Sequence, residues 1–308
     1  MTYLTKEDWS KYLLPRISDD KSLLREFNQI KRIKKIILKI IMDLFQKKEN
    51  SIIVQRLLNF SIILFYRYIF FNNIKYEDLP LYDIILITSS CVYLSSKIIN
   101  MPLKIDYLSK HIKYGLSKLK KYNNKNIDTE KIKEQIKGKE FDILIGIGFK
   151  FNIVTQYDCF LSMKNYFLNQ IEQSPKDKNI INEIFEQFKQ YLQKSILLPL
   201  NFYYESYEIA LGCLLLAKVD TKYNIINFDE LIKILIEKQQ PDFDIATTKE
   251  NIRQCAIYIN NLAEVIKKWE YDEAQNQIDY INFDNNQNNN QDDENSLDFT
   301  IISTIETN

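Results

Sequence analysis

Five glycines and six prolines are all that the 308 residues contain, and this scarcity limits the fold more than any other feature. Hairpins, sharp loops and glycine-lined phosphate cradles draw on these residues for left-handed or fixed-φ backbone. A chain this poor in them is expected to be mostly helical. The apolar side chains agree. From Leu23 to Phe45, Ile30, Ile33, Ile37, Ile40, Ile41 and Leu44 recur at three- and four-residue steps, with Lys31, Lys34, Lys35, Lys39 and Lys47 on other faces. That is the pattern of an amphipathic helix. Similar periodicity predicts helices at 51–72, 82–98, 103–118, 129–147, 156–172, 178–196, 205–218, 227–237 and 247–270, with Asp229 and Thr247 or Thr248 as N-caps of the last two.

At 45% hydrophobic, the chain is long enough for two packed units. Lys plus Arg and Asp plus Glu both number 41, so the formal net charge of zero offers no general attraction to nucleic acid or an anionic membrane. The longest uncharged apolar runs, 57–66 and 84–96, fall short of the roughly 20 residues that a membrane span needs. Cys91, Cys159, Cys213 and Cys255 are far apart and form no C-x-x-C pair, which predicts buried free thiols in a reducing compartment. The N-terminus, MTYLTKEDWSKYLLPR, has no apolar core of signal-peptide length. These features lead to the expectation of a soluble intracellular protein, cytoplasmic or nuclear. The segment 118–137 reads as a solvated linker entering the next helix, and the Asn/Gln/Asp-rich segment from Glu273 onward is expected to be disordered. Within that tail, FTIIST (299–304) reads as a chance apolar run rather than a docking segment.

Catalysis finds no footing in this composition. The one histidine, His111, lies on a Lys-rich face and is expected at the surface. GIGF (146–149) lacks the third glycine of a dinucleotide fingerprint and closes a helix instead of following a strand. There is no H-E-x-x-H, no Cys/His cluster and no phosphate-loop pattern, so neither a metal nor a cofactor is expected. The lysines of 31–39 and 104–121 alternate with Ile, Leu and Tyr at helical spacing, which assigns the apolar residues to the core and the lysines to solvent. The expectation is a non-catalytic helical interaction protein.

One internal correspondence stands out. Aligning TSSCVYLSSKI (88–98) with IALGCLLLAKV (209–219) sets Lys97 against Lys218, Ser96 against Ala217, Leu94 against Leu215, Cys91 against Gly212 and Ser89 against Ala210. Small residues let neighbouring helices approach closely, so each segment reads as the central helix of a bundle, and the pair points to a duplicated helical domain.

Two repeats of about five helices round a small-rich central helix resemble the plan of the cyclin fold. FYRYIFFNNI (65–74), ITSSCVYLSSKI (87–98) and KEFDILIGIGFKFNIVTQYDCFLSMKNYF (139–167) are similar, in that order, to the first cyclin box and its crossing into the second. LLPLNFYYESYEIALGCLLLAKV (197–219) resembles the corresponding region of the second repeat. The likeness is greatest to the transcription-type cyclins of the L/K/T group. It implies an all-α fold of tandem five-helix repeats: an N-terminal extension over 1–22, a first repeat over 23–152, a second over 153–272 and an acidic tail over 273–308. It also implies that Lys97 and Glu140, nine residues before Phe149 of the Ile147-Gly148-Phe149 motif, are the paired polar anchors that meet a protein kinase. The implied function is binding and activation of a cyclin-dependent kinase in a heterodimer, linked to transcription or RNA processing, with nuclear placement favoured over cytoplasmic. The implied partners are that kinase or a larger protein assembly, with no membrane and no nucleic acid.

The chain departs from the family where Ile98, Ile99 and Asn100 follow the lysine in place of acidic residues, where 72–82 is longer than usual, and where the first helix lacks the substrate-recruiting Met-Arg-x-Ile-Leu pattern. These departures keep open a scaffold subunit of a larger complex without kinase activation. A DNA-binding relative of the same fold is disfavoured by the neutral charge and the lack of a zinc ribbon.

Overall fold

The structure is a computed structural model, and it describes residues 20–47, 51–72, 74, 79–117, 128–149, 154–170, 175–198, 200–221 and 248–261. The regular elements among them are all helical. In chain order they are α1 (Asp20–Phe45), α2 (Ile52–Phe71), α3 (Leu81–Ile98), α4 (Ile105–Ser117), α5 (Thr129–Gly146), α6 (Gln156–Gln170), α7 (Pro175–Ser195), a 3-10 turn (Leu200–Phe202), α8 (Ser206–Thr221) and α9 (248–261). Most ends lie within three residues of where periodicity sets them. Residues 1–19, the expected helix at 227–237 with its Asp229 cap, and the tail 273–308 fall outside the described residues.

The helices gather round two apolar cores. In the first, α1 contributes Ile30, Ile33, Ile37, Ile40 and Ile41, and α2 and α3 contribute most of the rest. Here α3 packs against α1, α2, α4 and α5. The second core joins α6, α7, α8 and α9 and is aromatic: Phe160 meets the edges of Phe185 and Phe188 at centroid distances of 5.8 and 4.9 Å. Such edge-to-face contacts add about 0.5–1.5 kcal/mol each beyond the area they bury. The equivalence seen in sequence has a spatial counterpart, since α8 lies between α6, α7 and α9 as α3 lies among its neighbours.

Helix starts explain how the two cores are held together. At α6, Thr155 and Asp158 cap reciprocally: the Thr155 Oγ1 accepts from the Asp158 N–H at 3.1 Å, while Asp158 Oδ2 accepts from the Thr155 N–H and hydroxyl at 3.2 and 2.7 Å. The other Asp158 oxygen takes the Arg56 Nε–H of α2 at 2.9 Å, so one carboxylate caps a helix of the second core and ties it to the first. A second cap of this kind starts α8. There the buried Glu208 accepts from the Glu205 N–H at 2.8 Å and from the Asn251 amide of α9 at 2.7 Å. Ile196 and Leu197, just past α7, bury themselves in the first core.

By length and composition α2 and α3 could each cross a membrane, which the uncharged runs alone do not reach. However, 78% and 56% of their most apolar windows are buried inside the protein, as core helices require. Cys91, Cys159, Cys213 and Cys255 are buried free thiols, and burial pushes those of Cys159 and Cys213 up to about 12.

Gly212 marks a close crossing of α8 and α9. A Cβ there would stand 3.2 Å from both the Ala256 nitrogen and the Ile252 oxygen of α9, backbone atoms that cannot step aside. Gly212→Val is therefore predicted to cost about 1–3 kcal/mol by overpacking. Gly138→Ala, where an added Cβ meets nothing within 4 Å, is predicted to gain roughly 0.5–1 kcal/mol. Scanning calorimetry checks both, and shifts of the melting temperature in the same direction would contradict the packing described.

Candidate interaction site

Enclosure of α3 determines its composition. Leu86–Leu94 are buried save Tyr93, and Ser95 and Ser96 are buried as well. Hydroxyls in such a setting must find partners or cost about 1–3 kcal/mol each. They find them on the helix itself: Thr88 donates to the Ile84 carbonyl at 2.7 Å, Ser89 to Ile85 at 2.6 Å, Ser90 to Leu86 at 2.8 Å and Ser96 to Tyr93 at 2.7 Å. Ser90 also donates across to the Ile136 carbonyl of α5 at 3.2 Å, and Ser95 accepts from the Ser61 hydroxyl of α2 at 3.1 Å. Small, self-satisfied side chains let four helices close on this one.

The helix stops where that enclosure ends. Asn100 adopts φ 59°, the Met101 N–H bonds the Ser96 carbonyl at 2.8 Å, and the Asn100 N–H bonds Lys97 at 3.1 Å. This is a Schellman closure, with Asn in the left-handed position usually given to glycine. Lys97 thus falls in the last turn of α3, where the negative end of the helix dipole favours a cation. Its ammonium lies 4.0 Å from the centre of the Tyr93 ring, one turn back, in a cation–π contact.

From α5, Glu140 completes the pair: Lys97 Nζ donates to Glu140 Oε1 at 2.6 Å. The lysine side chain is 41% exposed and the glutamate 12%, so the ammonium is the half within a partner's reach. Around Glu140 the side chains diverge. Lys139 turns to α2 and donates to the Tyr68 hydroxyl at 2.9 Å. Burial works against the Lys139 charge, but the Tyr68 hydroxyl and Asp142 outweigh it and hold the amine above its ordinary range. Phe141 points outward, 56% exposed, and meets the 52% exposed Phe149 edge to face at 6.4 Å.

Phe149 reaches that place through a second Schellman closure. Its N–H bonds the Leu144 carbonyl at 3.0 Å and that of Gly148 bonds Ile145 at 2.9 Å, with Gly148 at φ 61°. Phe149 itself stands at φ 55°, a left-handed conformation that costs a bulky residue energy.

Lys97 and Glu140, the two residues expected at the site, therefore meet, joined by four others that sequence alone does not single out: Tyr93, Phe141 and the Lys139–Tyr68 pair that braces α5. The signals were present in their spacing, since Tyr93 lies one turn before Lys97 and Phe141 directly follows Glu140. His111 is a correction. Instead of standing at the surface it is half-buried, its Nε2 3.5 Å from Asp43 of α1, and burial lowers its pKa against the opposing pull of Asp43. No group of three or more His, Cys, Asp or Glu able to hold a metal ion occurs among the described residues.

In sequence, no family model matches the chain and no curated protein is similar to it. In structure, it is similar to a chain of the yeast TFIIK (Kin28/Ccl1/Tfb3) complex, with a TM-score of 0.52 and 15% identity over 84% of this chain and 95% of that one. It is also similar to a chain of the CAK complex of Chaetomium thermophilum bound to ATP-γ-S, with a TM-score of 0.51 and 12% identity over 88% of this chain and 82% of that one. At these identities the likeness shows the fold: all-α, in tandem cyclin-fold repeats.

Because the Lys97–Glu140 pair is partly exposed, its deletion is predicted to be mild. Lys97→Glu should cost no more than about 1–2 kcal/mol, the lost pair plus repulsion. Adding Glu140→Lys should recover part of it, leaving an acid at the unfavourable end of α3. A double-mutant cycle in urea checks this, and global unfolding of either variant would contradict it.

Proposed function

We propose that the chain is a non-catalytic, cyclin-like regulatory subunit that binds and activates a cyclin-dependent protein kinase through the surface where α3 ends beside α5. The observation that carries this reading is the Lys97–Glu140 pair, set at the surface beside the exposed Phe141–Phe149 contact. A donor and an acceptor framed by apolar rings fit a helix end on a partner: Lys97 and Glu140 bond its free backbone groups while the rings supply area. An inward-held kinase helix completes the kinase's own Lys–Glu pair and opens its activation segment. On this reading 23–152 and 153–272 are the two repeats, and the protein works in the nucleus in a transcription- or RNA-processing-linked complex. The assemblies that contain the two structurally similar chains support it, one of them binding a nucleoside triphosphate analogue.

A specific observation favours a second reading. Ile98 and Ile99, half-buried, follow Lys97 where cyclins place acids, which removes part of the charge complementarity to a kinase. The chain would then be a cyclin-fold scaffold in a larger complex.

Affinity purification of the full chain from its native cells separates the two. A protein kinase is predicted at stoichiometric ratio, lost on Lys97→Glu or Glu140→Lys. The Lys97→Glu, Glu140→Lys double variant should regain stability without regaining the kinase, because it presents the donor and acceptor reversed. Other subunits recovered without a kinase would establish the scaffold reading, and a kinase retained by the single variants would remove Lys97 and Glu140 from its interface.

A further inference from the structure

Periodicity assigns the apolar and aromatic residues of 104–121 to the core, but the structure divides those of α4. Leu108, Ile112 and Leu116 are buried, whereas Tyr107 and Tyr114 are 68% and 55% exposed. Lys104, Lys110 and Lys113 are exposed as well. Steps of three and four residues place Lys104, Tyr107, Lys110 and Tyr114 along one outward stripe with Lys113 beside it. The one acid in 104–117, Asp106, is engaged by Lys133 of α5. The outward side of α4 is therefore aromatic and cationic, a combination that matches an acidic segment with apolar anchors.

Such a segment exists in the same chain. Residues 273–308 hold eight acids and no lysine or arginine, so the zero net charge conceals an excess of eight positive charges over 1–272. The densest acids, Asp292, Asp293, Glu294 and Asp298, frame Leu297 and adjoin Phe299. Asp292 lies 31 residues beyond 261, the last described residue. A chain of that length spans up to about 100 Å when extended, more than the width of a small domain, so α4 is within reach. Tethering raises the effective concentration of such a segment to the order of millimolar. Single-stranded nucleic acid also suits stacked rings and lysines, but the neutral whole and an acidic segment competing in cis weigh against it.

We propose that the acidic segment 292–304 docks in cis on the outward face of α4, its carboxylates on Lys104, Lys110 and Lys113 and its Leu297 and Phe299 against the rings of Tyr107 and Tyr114. FTIIST then belongs to a docking segment instead of being a chance run. The inference does not depend on the kinase reading, since α4 carries neither Lys97 nor Glu140.

Carbodiimide cross-linking of the full chain, read by mass spectrometry, tests it, because the reagent joins carboxylates to amines in direct contact. At low salt, links from Asp292, Asp293, Glu294 or Asp298 should concentrate on Lys104, Lys110 and Lys113. They should vanish at about 1 M salt, where screening sets in within about 3 Å. Lys110→Glu with Lys113→Glu should reduce the remaining links to Lys104 about tenfold, and Tyr107→Ser with Tyr114→Ser should reduce the links to all three lysines by as much, while circular dichroism stays unchanged because all four side chains are exposed. A mixture of isotopically light and heavy chains should give links within one copy. Links spread evenly over other lysines, links between copies, or links indifferent to the substitutions would overturn the proposal. So would retention of an oligouridylate that requires Lys110 and Lys113 in a chain showing no such links, which would assign the face to nucleic acid.

Discussion

Enclosure of α3 by four helices organises the first repeat. A helix surrounded in this way has no outward face on which to place polarity, and large side chains would hold its neighbours apart. Serine and threonine resolve both demands by folding their hydroxyls back on the preceding turn. The same constraint confines charge to the two ends of the helix, Asp83 in the first turn and Lys97 in the last. Lys97 stands in the last turn, where the enclosing helices part, and the ring of Tyr93, the carboxylate of Glu140 and the helix dipole all favour its ammonium. The proposed site thus follows from the packing of the core, at the C-terminal end where a largely buried helix reaches solvent.

The second repeat meets the demand differently. Its central helix, α8, has no run of hydroxyls. It uses Ala210 and Ala217 and lets α9 approach against Gly212. The two halves are then joined by polar contacts: Arg56 to the capping Asp158 and Lys34 to the Gln193 carbonyl at 3.2 Å. Because Asp158 also caps α6, one side chain both starts the second repeat and ties it to the first.

The helices were legible because apolar residues recur near the helical period and the chain has few glycines and prolines to break them. The position of α1's core face, Ile30 to Ile41, and the pairing of α3 with α8 could be read directly. What escaped were features decided by partners distant in sequence. His111 is half-buried because Asp43, far away on α1, receives it. Tyr107 and Tyr114 look like core residues by type but fall on the outward side of α4, since aromatic character alone does not settle direction. Asn100 and Gly148 take the left-handed conformations that the hydrogen bonds of two helix ends require, and Phe149 takes one as well, on a residue type ill suited to it. For the candidate site, the sequence resemblance pointed to Lys97 and Glu140, and the structure added their separation and the aromatic side chains around them.

The most direct test of the proposed kinase-facing surface is hydrogen exchange on the full chain with and without a kinase that co-purifies with it. The account predicts slowed exchange at 97–101 and 139–149, where α3 and α5 end, with the outward face of α4 unchanged. Slowed exchange confined to the second repeat or to α1, with both helix ends exchanging as in the free chain, would contradict it.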